Sequence, residues 1–331
     1  MAEAKSGALT RRWIVPPFTV LDARSGRWQR RKDAWFEIGI GGEAGRDEGL
    51  VYNGPTGWPG FYEQKRQVER RLGRRLATAE FRRRHWRPRG RVRGTSVFDP
   101  VLAELACRWF CPPGGSVLDP FGGESVKGLV AAACGHDYTG VELRGEQVRA
   151  NRRQARRLGL SPTWITGDAA RLDRLLPRRA RYDLAFTSPP YYDLEVYSRR
   201  AADGSAMRSY RRFMEWLAEI FVQAAGRLRD RRFFVVKLGE VRDRRGRLRD
   251  FVGDCARVLR DRCGLAYLND AVLVTAIGSL AVRAGRPMAT GRKLGRGHQH
   301  VLAFFSGDPR EVRLAFPDAI TTDHPGQAPA R

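Results

Sequence analysis

Lysine is scarce in this chain: only six of its 61 basic residues are Lys, and the rest are Arg. Arginine surplus beside abundant alanine and glycine is the mark of a GC-rich genome, so the charge total overstates the functional signal. Acidic residues are also few, 36 in all, which leaves a net charge of +25. That imbalance excludes an acid-rich solvating chain and points to an anionic partner, most often nucleic acid. There are five cysteines, an odd number, with no CxxC pair. This argues against a disulfide framework or a zinc site and for free thiols in a reducing interior. The longest apolar run, AVLVTAIGSLAV (271–282), is too short to span a bilayer, so no membrane association is expected. MAEAKSGALTRR at the start has no apolar core of the signal-peptide kind. The expected compartment is the cytoplasm, at the nucleoid.

What is present is enough for a substantial core: 331 residues, 42% of them hydrophobic, with eight tryptophans. Residues 1–12 read as a disordered lead, and 13–95 as a small basic N-terminal module that could contact DNA. Within it, residues 63–94 hold thirteen Lys or Arg against three Glu, and VERRLGRRLATAEFRRR (68–84) has the composition of a helix. From residue 96 the pattern becomes regular. SVLDPFGG (116–123), DYTGVEL (137–143), TWITGD (163–168), YDLAFTS (182–188) and RFFVVKLG (232–239) read as strands. Helical segments lie between them at 100–110, 125–135, 145–159 and 209–228, with another at 250–262. Such alternation predicts an α/β fold, a Rossmann-like and mostly parallel sheet. NDAVLVTAIG (269–278) and HVLAFFSG (300–307) are expected to close it as an antiparallel C-terminal hairpin. The domain is expected over 96–308, with a tail at 309–331.

In such a sheet ligands lie at the carboxyl ends of the strands. Gly122 and Gly123 let a ligand approach the backbone, and the next helix points its amides there. Glu142 stands at the tip of the next strand, 23 residues after Asp119, suited to ribose hydroxyls. Asp168 ends the third strand. The loop FGGESVKG lacks the GxGxxG of a dinucleotide site, and an acid at Glu124 would repel pyrophosphate but suit a cation. S-adenosylmethionine (SAM), with a sulfonium and an ammonium and no phosphate, fits that description. At the fourth tip stands TSPPYY. Its prolines have no N–H, so nearby carbonyls stay free to accept hydrogen bonds. Ser188 adds a hydroxyl and Tyr191 an aromatic face, a seat for the amino group of a base drawn out of a duplex.

At this point the sequence resembles the DNA amino-methyltransferases, which methylate N4 of cytosine or N6 of adenine. DPFGG, Glu142, Asp168 and TSPPY look like their first four motifs, and SVFDP (96–100) resembles their cofactor-contacting segment. WIVPPFTVLDARSGRWQRRKDAW (13–35), LEVYS (194–198) and the segment 278–309 look like phage- and prophage-type modification methylases. The resemblance implies that Phe98, Asp119, Phe121, Gly122, Gly123, Glu142 and Asp168 bind SAM. It implies that Ser188, Pro189, Pro190 and Tyr191 hold the target amine. SPPY leans towards cytosine N4, whereas DPPY leans towards adenine N6. Arg283, Arg286, Arg292, Lys293 and Arg296, in the acid-free and glycine-rich loop 278–297, are the expected contacts to double-stranded DNA. His298 and His300 read as structural and no metal is expected. An RNA or protein amino-methyltransferase stays open as an alternative. So does a non-catalytic DNA-binding protein on a decayed methylase fold, because Glu124 and Ser125 stand where the family has Ser and Gly.

Overall fold

The computed structural model describes residues 7–41, 61–74, 76, 80–81, 84–85, 98–192, 207, 209–243, 245–275, 280 and 284–316. The chain divides into two units: Met1–Gly45, Phe98–Thr275 and His298–Arg331 form one, and Arg46–Val97 with Ala276–Gly297 form the other.

The first unit is built on eight strands: β1 Val20–Asp22, β2 Ser116–Asp119, β3 Asp137–Glu142, β4 Thr163–Thr166, β5 Tyr182–Thr187, β6 Leu228–Leu238, β7 Ala266–Val274 and β8 His298–Ser306. Their order is β1-β7-β8-β6-β5-β2-β3-β4. All pair in parallel except β8, which runs against both β6 and β7. The expected hairpin of β7 and β8 is therefore present, with β8 inserted between β7 and β6. The α/β reading holds. Strands β2 to β4 step one way from the centre and β5 and β6 the other, which leaves a crevice above the carboxyl ends of β2 and β5.

The unit's α-helices of six residues or more are α1 Ala8–Trp13, α2 Gly26–Glu37, α3 Pro100–Phe110, α4 Val126–Ala133, α5 Gly145–Arg157, α6 Tyr210–Ala225 and α7 Phe251–Arg257. Helix α3 begins where its sequence says it should. Asp99 Oδ1 accepts from the amides of Val101 and Leu102, and Pro100 occupies the first turn, where no N–H is needed. Its face buries Val101, Leu102, Leu105 and Ala106. Helix α5 is arginine-rich outside but carries Gln147, Asn151 and Gln154 buried on one face, at i, i+4 and i+7.

Two expectations about the N-terminus are corrected. Residues 7–12 are not a disordered lead, for α1 forms there with Thr10 buried, and the Trp109 indole donates to the carbonyl of Trp13. Residues 13–41 do not sit apart from the sheet. Strand β1 pairs with β7 and covers what would be an open edge. Trp28 and Trp35 on α2 are each 1% exposed. Their indoles donate to Asp99 and Glu104, and Arg31 meets Glu104 through two bonds of 2.6 Å. A basic segment is thus folded inward, because Glu104 and Asp99 give its cations and indoles buried partners.

In the second unit a helix spans Phe61–Leu72 and stops at Gly73, whose φ is +62°. The expected continuous helix over 68–84 is therefore broken at its glycine. The loop 278–297 also departs from expectation, since Gly285–Gly291 is helical. Among the described residues no helix is long and apolar enough to cross a membrane.

Candidate functional site

The tips of β5, β2, β3 and β4 are neighbours in that order. They bring the Ser188–Tyr191 corner, the Gly122–Gly123 turn, Glu142 and Asp168 to one end of the sheet. The foundation beneath them is Asp119, which is fully buried. Its Oδ1 accepts from the Thr187 hydroxyl at 2.7 Å and from the Phe121 amide at 3.1 Å. Its Oδ2 accepts from the Tyr138 hydroxyl at 2.8 Å and pairs with the Lys127 ammonium at 2.6 Å. Lys127, 4% exposed, also donates to the Phe121 carbonyl at 2.8 Å. Asp119 thus has both oxygens engaged within the protein. It fixes the glycine turn to the start of the Ser-Pro-Pro corner and presents no free edge to a ligand. Burial, then the charge of Asp119, pushes the Tyr138 phenol far up and keeps it a neutral donor.

The turn above is shaped by lack of side chains. A Cβ on Gly122 would stand 3.2 Å from the Val141 carbonyl oxygen, and Gly123 has φ +56°. The buried stripe of α5 holds the turn in place. Asn151 donates to the Gly123 carbonyl at 2.9 Å, Gln147 donates to Asn151, and Arg144 donates to Gln147. Glu142 is part-buried, and burial raises its pKa against the amides of Arg144 and Gly123 and the Arg144 charge. An acceptor so placed gains from a hydroxyl donor. Asp168 is also part-exposed, with Oδ1 capping the following turn through the Ala170 amide.

Glu124 does not face the crevice as the loop sequence led one to expect. It is 7% exposed, and its carboxylate accepts from the Phe98 amide at 3.2 Å and the Val126 amide at 2.7 Å. It clips the Phe98 segment to the head of α4, so the first amide of that helix is already satisfied. The expectation that Glu124 offers its carboxylate directly to a ligand is therefore corrected. Ser125 is likewise internal and donates to Gln154 at 2.7 Å. Phe98 is 7% exposed, edge-on to Phe186, with the ammonium groups of Lys127 and Lys237 5.5 and 5.1 Å from its ring. Phe121 leans on Trp216 at 5.7 Å.

In the corner, Pro189 is buried, while Ser188, Pro190 and Tyr191 keep part of their surface. The two tyrosines divide the work. Tyr192 is buried against Tyr210 and Phe213 with the Arg249 guanidinium 5.1 Å from its ring, so it anchors the loop. Tyr191 stands edge-on to Phe251 at 6.2 Å and accepts from the Gln299 amide at 3.0 Å. Asp193 and Glu195 lie outside the described residues, as does Arg283. Arg286, Arg292 and Arg296 are exposed and Lys293 part-exposed in the second unit. His300 meets Asp270 at 3.1 Å. Among the described residues no three His, Cys, Asp or Glu gather as for a metal ion.

Lys127, Tyr138, Thr187, Asn151 and Gln299 were missed by the sequence reading. The signal for Asn151 was there, as a neutral amide stripe at helical spacing inside an arginine-rich helix. Lys127 stood in the quoted loop, as the first lysine after Lys65.

No family model matches the chain, and no curated protein does. Among solved structures it is similar to TrmN from Thermus thermophilus, at 19% identity over 65% of this chain and 50% of that one, TM-score 0.42. A methyltransferase from Pyrococcus furiosus aligns at 14% identity over 75% of this chain and 96% of its own, TM-score 0.41. Magnesium protoporphyrin IX methyltransferase from Synechocystis PCC 6803, with bound SAH, aligns at 14% identity over 63% and 81%, TM-score 0.40. The alignment spans half of the TrmN chain, and at these identities the likeness extends no further than the course of the chain.

Proposed function

We propose that this chain is a SAM-dependent DNA amino-methyltransferase acting on a base drawn out of the duplex, with cytosine N4 ranked ahead of adenine N6. The observation that carries this reading is the bond from Thr187 to Asp119. It ties a nucleoside-type glycine turn directly to a Ser-Pro-Pro-Tyr corner on the neighbouring strand. The residues present fit the cofactor. Gly122 lets the turn lie flat against β3, where a side chain would meet the Val141 carbonyl, Glu142 would accept from ribose hydroxyls, and Asp168 keeps Oδ2 for a donor on the adenine side. When bound, SAM supplies an electrophilic methyl group on a sulfonium centre.

The rest is positioning by the chain itself. Ser188 and the proline carbonyl hold the exocyclic amino group as acceptors and turn its lone pair out of conjugation with the ring. Tyr191 offers its face to the base, and buried Tyr192 and Pro189 keep the corner from shifting. Orientation of this kind supplies much of the rate in a displacement that needs no covalent enzyme intermediate. The acid-free segment 278–297 is the proposed contact to DNA phosphates and guanine edges. Glu124 and Ser125, which had motivated a decayed, non-catalytic reading, are accounted for as internal ties.

The test is transfer of labelled methyl from SAM to unmethylated duplex DNA, with ribosomal RNA, tRNA and protein as competitors. Ser188→Ala and Tyr191→Ala should each lose about 100-fold or more in rate, and N4-methylcytosine should appear in the hydrolysate. Equal labelling by wild type and both variants would sink the assignment of the corner. Label in RNA or protein alone would replace DNA as the substrate.

A further inference from the structure

We infer that Gln299 is a positioning residue that sets the tilt of the Tyr191 ring before the target base stacks on it. The inference rests on the reading above, in which Tyr191 meets the base. Strand β8 alone runs antiparallel, so its first residues lie where the other strands end. His298 pairs with Val274 and His300 with Leu238, the last residues of β7 and β6. Side chains alternate along a strand. The rings of His298 and His300 lie 5.5 Å apart, and Gln299 between them goes to the opposite face. There its Nε2 donates to Tyr191 Oη at 3.0 Å.

Gly239 makes room for the pair. A Cβ at 239 would stand 3.5 Å from Gln299 Nε2 and 3.6 Å from both Cζ and Oη of Tyr191. Alanine would fill that space in ordinary contact, and anything larger would push the two side chains apart. With Phe251 against its edge and an amide at its far end, the ring is held at both ends while part of its surface stays open. A platform ordered in advance does not pay for that ordering when the base arrives.

The experiment uses the full chain, labelled SAM and unmethylated duplex DNA. Gln299→Leu should raise KM for DNA about tenfold by releasing a side chain the complex must order again. Affinity for SAM by calorimetry and the thermal midpoint should stay at the wild-type values. Tyr191→Phe removes the same bond from the other side and should match it. The double variant should be no worse than either single one, because both delete one interaction. Gln299→Glu, which can accept from the phenol, should recover most of the loss. Wild-type DNA kinetics in Gln299→Leu, or additive losses in the double variant, would overturn the inference alone. A wild-type protein inactive on DNA, or an active Tyr191→Ala, would overturn the reading of the site and this inference with it.

Discussion

The two ends of the sheet treat their carboxylates in opposite ways. At the amino end Asp183, at the start of β5, is ringed by donors: the Ser116 amide and hydroxyl, Arg229 at 2.6 Å and Arg232 at 2.9 Å. Burial works to raise its pKa, but these donors outweigh it and hold the carboxyl below its usual range. At the carboxyl end Glu142 is held above its usual range, because burial outweighs the amides and the arginine around it. One end is satisfied and structural. The other keeps an acceptor that is better off with a further donor, which is how a binding site differs from a brace. Asp119 lies between the two kinds: it is at the functional end, yet fully satisfied.

The largest effect should come from Asp119→Asn, which takes the carboxylate from buried Lys127. Stranding a buried charge costs about 3–5 kcal/mol, to be read as a fall in the urea midpoint together with loss of methyl transfer. Adding Lys127→Met should return part of the stability but not the activity. If the single variant unfolds like wild type, the buried pair is not the foundation described above.

Next in size is Glu142→Gln, expected to weaken SAM binding about tenfold, the scale of a hydrogen bond to a charged group. The sign of the pH effect follows from the raised pKa. Glu142 contributes stability at pH below the ordinary carboxylate range and loses it as pH rises through its folded value. Hydroxyl donors favour the ionised form, so SAM should bind more tightly as pH rises through that value, with proton release in calorimetry. In Glu142→Gln the dependence should vanish. Persistence of the slope would move the titration to another group.

The smallest effect belongs to Asp183→Asn, about 1 kcal/mol of stability from weakened surface bonds, with SAM affinity unchanged. Here the sign reverses. Asp183 stabilises above the ordinary carboxylate range and loses that contribution as pH falls through its depressed value. Wild type should therefore be more stable than this variant at neutral pH, and acid titration of unfolding should bring the two together at low pH. A shift in SAM affinity instead would erase the contrast between the two ends.

Much of this arrangement was legible in the sequence, and the parts that were not share a cause. The apolar runs around Val117, Val141, Ala185 and Val235 announced a parallel sheet, and glycine, acid and proline marked its tips. The pattern could not show which way a polar side chain turns. Glu124 and Asp119 both read as ligand-facing acids, and both spend their oxygens on the protein. Nor could periodicity show that β8 enters between β6 and β7, since pairing partners far apart in sequence leave no local trace. The inward fold of residues 13–41 was hidden for the same reason. Its basic residues read as part of a module that could contact DNA until Glu104 and Asp99, some 70 positions on, supplied partners for Arg31 and Lys32.

The hairpin of β7 and β8 has one further consequence. Val274 and His298 face each other across it, so the segment between them starts and finishes at anchored neighbours. With its ends already joined, doubling that segment would cost only about 0.6 kcal/mol in closure entropy. The sheet's stability is therefore insulated from what the insert says. Its wording can be rewritten over generations, or swapped in the laboratory, without renegotiating the fold that carries it.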